Sequence, residues 1–164
     1  MNTTRKCPTC GATGTLAEGT TEHTEALGPR VFVATLPALV CSNCGESIVR
    51  GDDPHAFERA RTSVLIAEGA SDGASLRYVR KTAQLTAAEL ARLLGVAPET
   101  VSRWENDVQA PDRATVALLG ALALDAQEGR TTTRDRLDAM AAAPAHPAAG
   151  EPARVVLRVL SSAA

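Results

Sequence analysis

Aromatic residues are scarce in this sequence of 164 residues, which contains only two Phe, one Tyr and one Trp. This scarcity argues against a single large aromatic-rich core, so alanine and leucine must fill most of any hydrophobic interior. The length fits one ordinary domain or two small ones.

Long hydrophobic segments are also missing. No segment approaches the roughly 20 apolar residues that a membrane span requires. The first residues, Met1 to Lys6, lack the apolar stretch of a secretory signal. We therefore expect a cytoplasmic protein with no membrane partner. In a reducing cytoplasm, clustered cysteines bind metal more readily than they form disulfides.

A strong excess of charge of either sign is absent as well. The net charge of −2 argues against a protein that coats nucleic acid non-specifically. The charges are nevertheless uneven: residues 1–74 contain six basic and nine acidic residues, whereas residues 75–113 contain six and five. The N-terminal part is thus predicted to suit a basic protein partner, and the second part is the better candidate for DNA.

Composition divides the chain into segments, because the small and polar run Glu68-Gly-Ala-Ser-Asp-Gly-Ala-Ser75 is typical of a hinge. The predicted fold class is α+β, with a small β-rich metal-binding domain and trailing helix joined to an all-α domain. The predicted segments are a metal-binding domain over residues 1–67, a hinge over 68–75, a helical domain over 76–124, and an extension over 125–164.

Within the first segment, two β-like runs over residues 20–27 and 30–36 flank a Gly28-Pro29 turn, which predicts a hairpin. A helix is predicted from about Pro54 to Ala67, with Asp53 as its N-cap. Its helically spaced positions are Phe57, Ala60, Arg61 and Val64.

The extension over residues 125–164 is predicted to be partly disordered or to form a dimer arm. It begins with a predicted helix over residues 132–142. A Pro/Ala stretch over 143–152 and a strand-like tail over 154–160 follow.

Two cysteine pairs, Cys7-Pro-Thr-Cys10 and Cys41-Ser-Asn-Cys44, have the spacing of zinc knuckles. Zinc prefers four tetrahedral ligands, and each Cys-x-x-Cys turn supplies two thiolates. A glycine follows each pair and allows the backbone amides to point at the sulfur atoms. The pattern predicts a zinc ribbon with one structural zinc per chain, since four thiolates leave no open position for catalysis.

Other interpretations of the cysteines remain. A thioredoxin-like redox pair and a disulfide are the alternatives, and His23 and His55 are candidate substitute ligands. If zinc is bound, this short, aromatic-poor unit is expected not to fold without it.

A helix-turn-helix pattern follows the predicted hinge. Thr86-Ala-Ala-Glu89 has the form of a capping box, and Gly95 marks the end of that helix. Pro98 favours the start of the next helix, in which Val101 and Trp104 face the core. Glu99, Thr100 and Arg103 are then on the outer face, at the end that enters a major groove. The alternative is a generic helical hairpin whose outer side chains are merely solvated.

The helix pair closely resembles the Cro/cI-type (Xre) repressor domain. The joined arrangement resembles the MqsA family of antitoxins, also described as YgiT-type zinc-finger antitoxins. The resemblance covers roughly residues 6–124 and rests on the domain order and on three motifs: Val40-Cys-Ser-Asn-Cys-Gly-Glu-Ser-Ile48, Val79-Arg-Lys81 and Ser102-Arg-Trp-Glu105.

The resemblance implies that the zinc domain binds a small ribonuclease toxin, and that the helical domain dimerises on a palindromic operator in double-stranded DNA. Arg103 is then the best base-reading residue, because arginine commonly contacts guanine O6 and N7 together. Glu99 replaces an asparagine of the family, which changes the expected operator. The candidate DNA-binding residues are Glu99, Thr100, Ser102, Arg103, Asn106 and Lys81.

The sequence therefore predicts a type II antitoxin that neutralises a ribonuclease and represses its own operon. The alternative is a stand-alone zinc-containing Xre-family regulator without a toxin partner. An enzyme is disfavoured, because we find no open metal site, no nucleophile–base pair and no phosphate-cradling loop.

Overall fold

The computed structural model describes residues 5–51 and 55–142, which form a mixture of α-helices and one small antiparallel sheet. Strand β1 spans Leu16–Leu27, β2 spans Arg30–Cys41 and β3 spans Ser47–Val49, in the order β1-β2-β3. None of the described helices is both long enough and apolar enough to cross a membrane.

The predicted hairpin is confirmed, and its strands are longer than the two β-like runs. Pairing of β1 with β2 continues from Leu27↔Arg30 at the turn to Leu16↔Cys41 at the far end. Gly28 begins the turn with a φ of 56°, a left-handed conformation that favours glycine. The hairpin therefore has the cysteines at one end and its Gly28-Pro29 turn at the other.

Six helices occur in the described part of the chain. They are α1 (Ala56–Glu68), α2 (Gly73–Thr82), α3 (Ala87–Leu94), α4 (Pro98–Glu105), α5 (Arg113–Gln127) and α6 (Thr132–Ala142). The helix predicted over residues 132–142 is confirmed as α6. The predicted cap Asp53, the helix position Pro54, the Pro/Ala stretch and the strand-like tail lie outside the described residues.

One hydrophobic cluster is built from helices α1 to α5. Leu65 of α1 is 1% exposed and belongs to the same cluster as Val101 and Trp104 of α4. Phe32 and Leu27, near the hairpin turn, pack against its margin. Helix α1 therefore packs with the helices that follow it, and the turn end of the hairpin lies beside them.

The segment predicted as a hinge over residues 68–75 overlaps the two neighbouring helices. Glu68 is still part of α1, and Gly73 to Ser75 form the first turn of α2, so only residues 69–72 connect the two helices. Asp72 caps α2 by accepting a hydrogen bond from the Ser75 backbone amide at 3.0 Å. Small and polar residues serve here as a helix start.

The inner face of α1 also differs from the predicted set. Ala60 is exposed and Val64 is 44% exposed, whereas Arg61, Thr62 and Leu65 are buried. A charged residue occupies this face because the Arg61 guanidinium has two ion-pair partners at 2.6 Å, Glu25 of β1 and Glu58 of α1. It also lies 4.2 Å from the centre of the Tyr78 ring.

Candidate functional site

Four cysteine side chains converge at the end of the sheet that is remote from the hairpin turn. Their sulfur atoms all lie within 4.8 Å of one another. Cys7 Sγ is 3.8 Å from Cys44 Sγ, and Cys10 Sγ is 3.7 Å from Cys41 Sγ. These distances far exceed the roughly 2.05 Å of a disulfide bond, so all four thiols are free. Such a cluster could hold one metal ion.

Two turns of matching geometry position these thiols. The Gly11 amide donates to the Cys7 carbonyl at 3.0 Å, and the Gly45 amide donates to the Cys41 carbonyl at 2.9 Å. Both glycines have a φ of 76°, a conformation that L residues rarely adopt. The glycine after each cysteine pair is therefore required by the backbone of the turn.

The environments of the thiols differ. The Thr15 hydroxyl, 3.2 Å from Cys41 Sγ, lowers the pKa of Cys41 to about 6. The backbone amide of Ala12 and the Asn43 side chain lower the pKa of Cys10. The Glu46 backbone amide favours the Cys44 thiolate, but burial and the neighbouring thiols outweigh it and raise the pKa of Cys44 to about 12. A cation among the sulfurs would favour thiolates throughout, as metal ligation requires.

Neither candidate histidine belongs to this cluster. In the described part of the chain, the metal-ligand group there consists of the four cysteines only. The His23 ring contacts the Phe57 ring edge-on at 4.7 Å, further along the hairpin. His55 immediately precedes α1. The structure thus brings together the predicted cysteine ligands without either substitute.

The second candidate site is the helix pair α3–α4. The predicted capping box is confirmed, because the Glu89 amide donates to Thr86 Oγ1 at 3.1 Å and the Thr86 amide donates to Glu89 Oε2 at 2.8 Å. Gly95 ends α3 with a φ of 67°, and α4 begins at Pro98. Three residues therefore separate two short helices that pack against each other.

The candidate DNA-binding residues lie mostly on the surface. On α4, Glu99, Ser102 and Arg103 are exposed and Thr100 is half-buried. Asn106 follows α4 directly and donates from Nδ2 to the Ser102 carbonyl at 2.7 Å. Exposed Lys81 lies in the last turn of α2. Five of the six residues therefore belong to α4 or its end, with Lys81 on another helix.

Sequence reasoning missed the ion pairs that hold α4 in place. Arg80 of α2 donates to Glu105 Oε1 at 2.6 Å, and Arg77 donates to Glu105 Oε2 at 3.2 Å. Burial opposes ionisation of Glu105, but hydrogen bonds from both arginines outweigh it and hold its pKa below the ordinary value. The partners are 25 and 28 residues apart, so local spacing gives no signal of this contact.

Comparison with known families gives a match over most of the chain. The model of a family described as the antitoxin component of a bacterial toxin-antitoxin system, MqsA, matches residues 5–126. The matched range includes both cysteine pairs and all of α4. A search of curated proteins found no match.

Proposed function

Because the chain belongs to the family of MqsA antitoxin components of bacterial toxin–antitoxin systems, we propose that it neutralises a small ribonuclease toxin and represses its own operon. The family match over residues 5–126 supports this most directly, since it includes the cysteine cluster and the helix pair in one range. The acidic balance of residues 1–74 fits a basic partner.

Zinc is the metal that best fits the cysteine cluster. Zn–S bonds of about 2.3 Å in a tetrahedron place the sulfurs about 3.8 Å apart. The Cys7–Cys44 and Cys10–Cys41 sulfur separations of 3.8 and 3.7 Å agree with that value, and all four sulfurs lie within 4.8 Å of one another. Cys7, Cys10, Cys41 and Cys44 would bind one zinc ion with a structural role, since the closed shell leaves no position for water or substrate.

The exposed face of α4 is the proposed DNA-reading surface in a helix-turn-helix. A recognition helix reads base edges from its N-terminal half and its outer face, where Glu99 and Arg103 are exposed. Glu99 would accept from cytosine N4, and Arg103 would donate to guanine. A homodimer would place two such helices about 34 Å apart, one for each half of a palindrome.

Replacing Arg103 with alanine is expected to weaken binding to the operator and to reduce selectivity at one base position in each half-site. Loss of a bidentate contact to guanine costs about 1–3 kcal/mol of discrimination. Fluorescence anisotropy with the palindrome upstream of the gene measures this effect. Arg136→Ala is the matched control, because it removes one positive charge from an exposed position on α6.

Equal affinity and equal base selectivity for Arg103→Ala and the parent protein would show that Arg103 does not read the operator. Uniform weakening on all DNA sequences would instead assign Arg103 to a phosphate.

The full chain is expected to inhibit a small basic ribonuclease encoded beside its gene, and Arg103→Ala should inhibit it equally well. Cys41→Ser should lose inhibition, because the proposed toxin-binding part contains the metal cluster. RNA cleavage by the purified toxin measures this. The full chain is used because a fragment ending at residue 67 would separate Leu65 from its core neighbours.

Copurification from the host provides the second measurement. If no small basic protein accompanies the chain, while the chain still binds its operator, it is a stand-alone regulator and the antitoxin proposal is wrong.

A further inference from the structure

The turn end of the hairpin contacts the start of α2 through Arg30, the first residue of β2. Arg30 Nη1 donates to Asp72 Oδ2 at 2.5 Å, and Arg30 Nε donates to Glu68 Oε2 at 2.9 Å. The Arg30 and Asp72 side chains are only 28% and 23% exposed, so solvent screens their ion pair only in part. The hairpin is thus tied to the segment that sequence reasoning assigned to a hinge.

The contact is close as well as charged. A Cβ atom added to Gly28 in the turn would lie 2.7 Å from Asp72 Oδ1 and 3.1 Å from the Ala74 Cβ. Asp72 Oδ1 also accepts the Ser75 amide that caps α2. Any shift of the turn therefore acts on the residue that fixes the helix start.

The same helix start touches the end of α4. The Gly73 amide donates to Asp107 Oδ1 at 2.6 Å. A Cβ atom on Gly73 would lie 2.5 Å from the Glu105 carbonyl oxygen, so only glycine fits this approach. Arg77 and Arg80 of α2 bind Glu105 as well. The start of α2 therefore has two adjacent contacts. Its cap Asp72 contacts the turn end of the hairpin, and Gly73 contacts the end of α4.

A second contact keeps the hairpin beside α2. Arg61, with 4% of its side chain exposed, pairs with Glu25 of β1 at 2.6 Å. Its guanidinium group lies 4.2 Å from the centre of the Tyr78 ring on α2. The hairpin thus contacts the helices at its turn and at Glu25 near the end of β1, whereas the cysteines are at its opposite end.

We propose that the Arg30–Asp72 contact couples the metal-bearing hairpin to the position of α4, so that metal binding and DNA binding strengthen each other. Loss of the metal frees the hairpin, removes Arg30 from the start of α2 and releases the end of α4. Coupling between two sites is reciprocal, so bound DNA must raise the affinity for the metal by the same factor by which the metal raises the affinity for DNA. The DNA part rests on the proposed function; the hairpin–α4 part does not.

The only tryptophan of the chain reports the hairpin–α4 part directly. Trp104 lies on α4 and is 7% exposed, so its emission reports the packing of that helix. Chelation of the metal from the full-length protein is expected to shift this emission. Operator affinity measured beside it should fall at least about fivefold, the lower end of typical coupling between two sites.

The variant pair that breaks the contact is Arg30→Gln with Asp72→Asn. Asparagine can still cap α2, so this pair removes the ion pair and keeps the helix start. Chelation should remove as much metal from this variant as from the parent, but it should shift the Trp104 emission little. The operator affinity of the variant after chelation should stay within about twofold of its value before chelation, a change well below typical coupling between two sites. The matched control is Arg50→Gln, which breaks the exposed pair at 3.0 Å between Arg50, just after β3, and Glu18 of β1, and which should behave like the parent.

The responses of the parent and of the double variant to chelation decide the proposal together. An unchanged Trp104 emission in the chelated parent overturns it, as does an equal response to chelation in the double variant and the parent. If the parent binds no operator, the proposed DNA function fails, and the emission comparison alone decides the hairpin–α4 coupling.

Discussion

Removal of the metal is expected to unfold the three-stranded sheet while α2 to α6 stay helical. The described residues of the sheet supply little apolar core of their own, with Ala38, Leu39 and Cys41 as its buried members. In zinc-finger peptides, binding of a structural zinc contributes an apparent ~10–16 kcal/mol to folding. Without a cation among the four thiols, the sheet would lose that contribution to its folding, and strand pairing alone could not compensate for the loss.

Cys41→Ser tests this expectation without a chelator. The substitution removes a proposed ligand whose pKa is already lowered to about 6 by the Thr15 hydroxyl, and serine is a poor zinc ligand. We expect metal content to fall from about one ion per chain to well below that ratio. Backbone amides of β1 and β2 should then exchange rapidly with solvent, whereas amides of α5 should stay protected.

Ser42→Ala is the matched control for Cys41→Ser. It removes an exposed hydroxyl at the adjacent position and should keep both the metal and the slow exchange. A metal-free Cys41→Ser protein with a fully protected sheet would show that strand pairing alone is sufficient, and the structural role of the metal would be wrong.

The features that the sequence predicted correctly depend on local spacing. The two Cys-x-x-Cys turns, the Thr86–Glu89 capping box and the Gly28-Pro29 turn each involve residues within a few positions of one another. Their geometry is therefore dictated by backbone conformations that short motifs specify. The convergence of the two distant cysteine pairs was also predictable, because four thiolates would complete the shell of a structural zinc.

The features that sequence reasoning missed are contacts between residues distant in the chain. Gly73 was interpreted as part of a flexible segment, but it fits against the Glu105 carbonyl oxygen, where a Cβ would be only 2.5 Å away. Composition cannot distinguish a glycine needed for flexibility from one needed for close approach. Arg61 likewise fitted a helical face by spacing, but the carboxylates that neutralise its buried charge include Glu25 in β1, distant in the chain, as well as Glu58 on its own helix.

Replacing Glu105 with alanine is expected to destabilise the helical core by on the order of 3 kcal/mol, because it leaves a buried charge without its partner. The Arg80 side chain is only 11% exposed and Glu105 is 8% exposed. Arg80 retains the Leu85 carbonyl at 2.7 Å, which accepts a hydrogen bond but provides no negative charge. Urea denaturation followed by Trp104 emission measures the free energy of unfolding. Glu99→Ala is the control, since Glu99 is exposed on the same helix.

Glu105 also predicts how stability depends on pH. Its pKa is lowered in the folded protein, so its stabilising contribution is present above the unfolded pKa of about 4.3 and is lost as pH falls through the folded value. The glutamine side chain of Glu105→Gln cannot ionise. The variant should therefore have a lower free energy of unfolding than the parent, by an amount that is constant from pH 7 to 5 and that shrinks below about pH 4.3. Other carboxylates with lowered pKa values are common to both proteins and cancel in this difference. A deficit that stays the same down to pH 3 would mean that the ion pair with Arg80 contributes nothing measurable, and that Glu105 holds α4 by hydrogen bonding alone.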